Sequence, residues 1–123
     1  MQLTPVVSAG RQLIERYGAS GFRISGVIWR GPVLVFPDLT LPWANAVAEP
    51  TFANLQPVVE HGGVEILLLG FGRRMSTVAR ELRAALRRQG IALEPMDTGA
   101  ACRTYNVLVA EERHVAAALL PTI

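Results

Sequence analysis

The feature that most constrains this chain is the segment Val64-Glu-Ile-Leu-Leu-Leu69, set between Gly62-Gly63 and Gly70. A continuous apolar run of this length bounded by glycine is what a strand covered on both faces looks like, because successive side chains point to opposite sides of the sheet. The uninterrupted part, Ile66 to Leu69, is far short of the roughly 20 residues of a membrane helix. The run therefore predicts a buried strand inside a layered domain.

The residues on either side support that frame. Ser76 to Gln89 has a helical stripe of Val78, Leu82, Ala85, Leu86 and Gln89, with Ser76 placed to cap its start and Gly90 its end. Ile91–Met96 reads as the next strand. Thr98 is placed to cap a helix over Gly99–Glu111, and Val115–Leu120 reads as the final strand. Upstream, Phe52–His61 reads as a short helix, weakened by Pro57 and ended by Gly62-Gly63. Phe22–Trp29 and Val33–Phe36, joined by Arg30-Gly31-Pro32, read as a hairpin. Pro37 and Pro42 restrict Asp38–Ala46 to looping structure or an edge strand. Residues 1–21 are irregular, with a short helical possibility at Gly10–Tyr17. Strands alternating with helices imply a three-layer α/β fold with a mixed, mostly parallel central sheet and an N-terminal β-hairpin, all in one domain over residues 1–123.

Of the 123 residues 50% are hydrophobic and 18% charged, an apolar balance that points to a protein partner or a second copy of the chain. The basic residues are all arginine. Residues 1–70 carry four of them against five acids and residues 71–123 eight against five, a net +2 overall. That balance is too small for a dense nucleic-acid footprint. The N-terminus lacks the charged and apolar blocks of a signal peptide. A single cysteine fits a reducing compartment, so the expectation is a cytoplasmic protein with no transmembrane segment.

Candidate functional residues fall in two places. Gly70-Phe-Gly-Arg73 comes directly after the buried strand, where strand ends and a helix start form an anion site in α/β folds; Gly70, Gly72 and Arg73 are the candidates. The loop lacks the third glycine of a dinucleotide-binding turn, and a plain tight turn is the competing reading. The second place is Asp97, Cys102, Arg103, Tyr105 and Asn106. A helix start and Arg103 would favour a Cys102 thiolate, whereas a lone cysteine is also a common core residue. Asp97 or Thr98 can cap the helix, and Arg103 can pair with Asp97. Asn106 is a poor helix former, which implies a specific hydrogen bond. His61 and His114 stand apart from Cys102 in sequence, so no catalytic pair is formed, and no spacing suits a metal. No cofactor is implied.

Gly21-Phe-Arg-Ile24, Gly31-Pro-Val-Leu-Val-Phe-Pro37, Ile66-Leu-Leu-Leu-Gly-Phe-Gly72 and the stretch Met96 to Glu111 resemble a small uncharacterised α/β domain family. That family includes the assembly factor of mitochondrial respiratory complex I (NADH:ubiquinone oxidoreductase) and bacterial and archaeal homologues. The resemblance runs from about residue 3 to 120 and implies a three-layer fold with a mixed sheet. It implies no catalytic residues; the positions matching the family pattern are Gly70, Gly72, Asp97, Thr98, Gly99, Thr104, Tyr105 and Asn106. The absence of a mitochondrial presequence suggests a bacterial-type or mature member. Two functions remain open from sequence. One is a non-enzymatic module that helps assemble a membrane-associated respiratory complex through protein partners. The other is a small-molecule or anion-binding protein, or a redox enzyme, with a pocket near Gly70–Arg73 and Cys102–Asn106.

Overall fold

The structure is a computed structural model that describes residues 11–73 and 78–122. Strands β1 (Ile14–Tyr17), β2 (Gly21–Ile24) and β3 (Val27–Arg30) pair in that order into a small antiparallel sheet. They are succeeded by β4 (Val33–Val35) and β5 (Thr40–Pro42), and by a 3-10 turn at Phe52–Leu55 that runs into α1 (Gln56–His61). The remainder alternates: β6 (Ile66–Phe71), α2 (Arg80–Arg88), β7 (Ala92–Met96), α3 (Thr98–Ala110) and β8 (Val115–Leu120). The larger sheet has the order β5-β4-β8-β6-β7. β6 is parallel to both β7 and β8, while β4 is antiparallel to both β5 and β8. Four of its five strands thus point one way and only β4 opposes them, the mixed, mostly parallel sheet expected from sequence.

Both faces of this sheet are buried, as the Ile66–Leu69 run requires. Leu34, Phe36, Leu67, Leu69, Ala116 and Ala118 face one core with α1 and α2. Val33, Val35, Leu68, Ala117 and Leu119 face the other with α3 and the inner side of the small sheet. Crossover handedness accounts for the division. The step from β6 to β7 moves one way across the sheet, and the step from β7 to β8 moves back past β6. A single right-handed sense for both then puts α2 and α3 on opposite faces, making three layers.

The first third departs from the sequence reading in two ways. Ile14–Tyr17, expected to be helical, is a strand: Ile14 is buried and the next three residues are exposed, and its backbone pairs with β2. The start of that expected helix, Gly10, lies outside the described residues. The hairpin is not between 22–29 and 33–36 but within 21–30. Ser25 (φ 46°) and Gly26 (φ 84°) form the turn between β2 and β3. Left-handed geometry at both central positions matches the right-handed strand twist, and it breaks what reads as one strand into two. Gly31 and Pro32 then carry the chain from one sheet to the other.

Three helix ends also differ. Pro57 does not weaken α1; it lies in the first turn, where its missing N–H costs nothing. Helix α2 begins at Arg80 behind Ala79, which supplies no side-chain cap; Ser76 lies outside the described residues. Leu82 and Leu86 are the buried residues of its stripe, and Gln89 is exposed past the helix end. In α3 the cap is Asp97, not Thr98, and the carboxylate accepts from the Ala100 N–H at 2.8 Å.

The end of α1 is tied to the chain after β4 by His61. Its ring stacks on Phe36, with centroids 4.0 Å apart. Nδ1 lies 2.9 Å from the Gly62 carbonyl oxygen and Nε2 lies 2.8 Å from Asp38 Oδ1. Both partners are acceptors, so both contacts are hydrogen bonds only when both ring nitrogens carry protons. Burial lowers the histidine pKa, but the Gly62 carbonyl and the Asp38 carboxylate together outweigh it, and the net direction is upward. A raised folded-state value means the contribution of His61 to stability is fully present below about pH 6.5 and is lost as pH rises through the folded value. Proton NMR should therefore find His61 titrating above the ordinary histidine range, and His61→Ala should flatten the pH dependence of stability in that window. A titration at or below the ordinary value would remove the clip.

Candidate functional site

The junction between the end of β6 and the start of α3 is organised by Thr98, a fully buried residue in the first turn of the helix. Its N–H donates to the Gly72 carbonyl at 2.7 Å, and its Oγ1 accepts from the Gly72 N–H at 2.7 Å. The same hydroxyl donates to the Leu120 carbonyl at 2.6 Å. One side chain thus joins the ends of β6 and β8 to the helix that leads from β7 into β8. The approach is close because Gly70 has no side chain: a Cβ there would lie 3.0 Å from Thr98 Oγ1 and 2.9 Å from a Leu119 methyl carbon. Gly72 has φ +85°, a conformation that favours glycine.

Further along α3 the polar residues turn to β1. Asn106 Oδ1 accepts from the Ile14 N–H at 2.9 Å, and Asn106 Nδ2 donates to the Ile14 carbonyl at 2.8 Å. The side-chain amide thereby takes the place of a neighbouring strand's peptide. Tyr105 is buried and its hydroxyl donates to the Gln12 carbonyl at 2.9 Å. Burial raises its phenol pKa, with the Asp38 carboxylate adding and Arg11 opposing. Arg11 itself donates to the Val109 carbonyl at 2.6 Å. Arg103 does not pair with Asp97; it donates to the Tyr17 hydroxyl at 3.1 Å. Tyr17 lies over Gly99, where a Cβ would come within 2.8 Å of the phenol oxygen.

Cys102 is 2% exposed and packs with Tyr105, Ala101 and Ala117 under α3. Burial pushes its thiol up to about 12; Arg103 pulls the other way and Asp97 adds to the rise. A protonated, enclosed thiol has little nucleophilic character.

The residues singled out from sequence therefore occupy distinct surroundings. Gly70, Gly72 and Asp97 meet around Thr98, with Arg73 exposed just beyond. Cys102 and Tyr105 face the core, while Arg103 and Asn106 face β1. At the carboxyl ends of β6 and β8 lies a cleft of about 460 Å³ lined by Val47, Phe71, Gly72, Arg73, Leu120 and Pro121 among others. None of Cys102, Arg103, Tyr105 and Asn106 lines it. The Gly72 N–H at its edge is donated to Thr98, and among the described residues Arg73 is the one cationic side chain that lines it.

Sequence reasoning misses two features. It takes the Thr98 hydroxyl only as a helix cap, although a threonine directly after the capping aspartate is a signal in plain view. His61 and His114 line a second cleft of about 290 Å³ at the opposite end of the sheet, which the separation of the two in sequence conceals. Among the described residues no group of three or more His, Cys, Asp or Glu side chains is placed to hold a metal ion.

This geometry makes two outcomes measurable. Thr98→Val keeps the shape but leaves the Gly72 N–H and Leu120 carbonyl unpaired, and Asn106→Ala does the same to Ile14. Each should lower unfolding free energy by about 2 kcal/mol in urea titrations, while Thr98→Ser should stay near the parent; losses below about 0.5 kcal/mol would mean these bonds are dispensable. The folded protein at pH 8 should leave Cys102 unmodified by a thiol reagent that labels the urea-unfolded chain completely. Labelling at comparable rates would contradict the enclosed thiol.

The chain is similar to proteins from bacteria and animals over nearly its whole length. It is 38% identical to an uncharacterised protein of Rhodobacter capsulatus over 113 residues, 92% of this chain and 87% of that one. It is 36% identical to the NADH dehydrogenase (ubiquinone) 1 alpha subcomplex assembly factor 3 of Xenopus tropicalis, over 93% of this chain but 63% of that protein. Among solved structures, one described as an outer membrane protein from Bartonella henselae superposes with a TM-score of 0.85 at 36% identity, covering 93% of this chain and 98% of that chain. The family described as protein of unknown function (DUF498/DUF598) matches residues 14–120. With the fold and the sequence in agreement, the chain belongs to the DUF498/DUF598 family, which it shares with the complex I assembly factor and with bacterial relatives.

Proposed function

We propose that this protein is a non-enzymatic binding module that assists assembly of a membrane-associated respiratory complex, acting through protein partners from the cytoplasmic side. The observation that carries the reading is the 36% identity to an assembly factor across 93% of the chain. The site supports it. The side chains with the most chemistry to offer, Thr98, Tyr105 and Asn106, hold backbone groups in or next to neighbouring strands, and Cys102 is enclosed. Among the described residues no helix is long and apolar enough to cross a membrane, so attachment would run through a partner. The chain spans 63% of the length of the Xenopus tropicalis factor.

A second reading has one observation in its favour. The cleft beside Gly70, Gly72 and Arg73 lies at the carboxyl ends of parallel strands, where α/β proteins bind small ligands. Tagged protein recovered from its native host at low detergent, with the membrane fraction kept separate, should enrich respiratory-complex subunits by quantitative mass spectrometry. A preparation free of protein partners, or turnover of a substrate that requires Cys102 or Tyr105, would end the assembly reading. Native mass spectrometry showing a bound small anion, lost in Arg73→Ala, would favour the cleft.

A further inference from the structure

We propose that the open edge of β3, with the arginine face beside it, docks one extended acidic segment of a partner protein. The role as a binding module supplies the setting, and the proposal rests on it; the chemistry of the surface is carried by the sheet edges and the charge beside them.

Four sheet edges exist among the described residues, and three are blunted. At β1 the Ile14 N–H and carbonyl are both taken by Asn106. β5 is three residues long and ends in Pro42, and β7 contains Pro95, which has no N–H to offer. Among the described residues β3 has no such guard. Val27 and Ile28 are 54% and 63% exposed. Ile24 and Val27 close the two-residue turn, so hydrogen-bonded pairs alternate from there: 24 with 27, 22 with 29, 20 with 31. The Gly31 N–H donating to the Ser20 carbonyl at 3.0 Å fits that alternation. Ile28 and Arg30 are the remaining positions, and their N–H and carbonyl groups point away from β2.

The charge beside this edge is mainly positive, three arginines against the one carboxylate of Glu15. Arg16 stands opposite Arg23, Arg23 opposite Ile28, and Gly21 opposite Arg30, which places the three arginines and Ile28 on the outer face. They surround a hollow of about 220 Å³ that opens over Gly21. Arg23 is held by Glu15 at 3.1 Å, whereas Arg16 and Arg30 have no salt bridge among the described residues. A polyanion such as RNA or an anionic membrane would use the arginines and leave the Ile28 side chain and the main-chain groups idle. A second copy would bring its own arginines against these. An added strand with alternating apolar and acidic residues uses the main chain and both faces: its backbone pairs with Ile28 and Arg30, its carboxylates share the outer face with Arg30, Arg23 and Arg16, and its apolar side chains share the other face with the exposed Val27.

The test uses a fluorescent eight-residue peptide of alternating Val and Glu, a matched Val and Lys peptide, oligothymidine, and phosphatidylglycerol vesicles. The acidic peptide should bind and shift the amide resonances of Ile28 and Arg30, and the Lys peptide should not. Arg30→Glu and Ile28→Pro should each weaken binding about ten-fold or more, the second by removing an outward N–H that the protein's own sheet does not use; circular dichroism and melting establish that each variant is folded. No peptide binding, or unchanged binding to folded Ile28→Pro, overturns the proposal. Tighter binding of oligothymidine or vesicles than of the peptide overturns it in favour of a polyanion surface, and a dimer that the peptide fails to dissociate assigns the edge to a second copy. The host pull-down separates the two readings. Respiratory subunits captured equally by wild type and Ile28→Pro would leave the assembly role standing and sink this docking surface. Failure of the wild type to capture them would sink the assembly role while peptide binding still decides the edge.

Discussion

Strand β8 lies between β4 and β6, in the middle of the larger sheet, yet it comes after every other strand in sequence. Val115, Ala116, Ala117, Ala118 and Leu119 are all 1% exposed or less. Three successive alanines keep the centre of the sheet thin, so that α3 approaches closely over Ala117 on one face, while on the other Ala116 and Ala118 lie between Leu34, Leu67 and Leu69 of the flanking strands. Without β8, β4 has no bridge to the parallel strands, and the antiparallel front of the molecule is unconnected to the back. The layered core depends on a pairing between residues about eighty positions apart, the kind of contact whose loop-closure entropy is met late in folding.

Polar side chains have a consistent use in this framework. Asp97 satisfies the first turn of α3, Thr98 joins two strand ends, and Asn106, Tyr105 and Arg11 join α3 to β1. Asp97, Thr98, Asn106 and Tyr105 supply hydrogen bonds to backbone groups at helix and strand ends or edges, and Arg11 adds one to a Val109 carbonyl that already accepts from the Glu112 N–H. The layer on that face of the sheet is therefore part helix and part sheet, with a seam of directed bonds between them. The seam also explains why a helix can hold tyrosine and asparagine in consecutive positions and remain long.

Much of this architecture is legible in the residues, for identifiable reasons. Ile66–Leu69 announces two covered faces, and the alternation after Phe52 announces the crossovers. Asn106 stands out because its helix propensity is poor and something must offset it. The failures have equally specific causes. Ser25-Gly26 is a recognised turn dipeptide, but it sits inside an apolar stretch that looks continuous, so the pattern reads as one strand where there are two. Ile14–Tyr17 has no strong period of its own and becomes a strand through its partners, β2 and Asn106. Thr98 and the His61–Asp38 contact are long-range, and nothing in local spacing encodes which distant carbonyl or carboxylate a side chain will reach. The candidate residues of the last quarter are recognisable as polar and unusual, while their orientation, inward or toward β1, is set by tertiary packing.

The asymmetry of the small sheet has a consequence for stoichiometry. A sheet with two open edges can add strands at both ends and grow without limit, the geometry that leads to fibres. Here Asn106 occupies one edge as though it were already a neighbouring strand. Any chain that joins at β3 therefore completes a four-stranded unit whose further growth depends only on the newcomer's own outer edge. The helix side chain acts as a terminator, setting the count at one added strand per molecule.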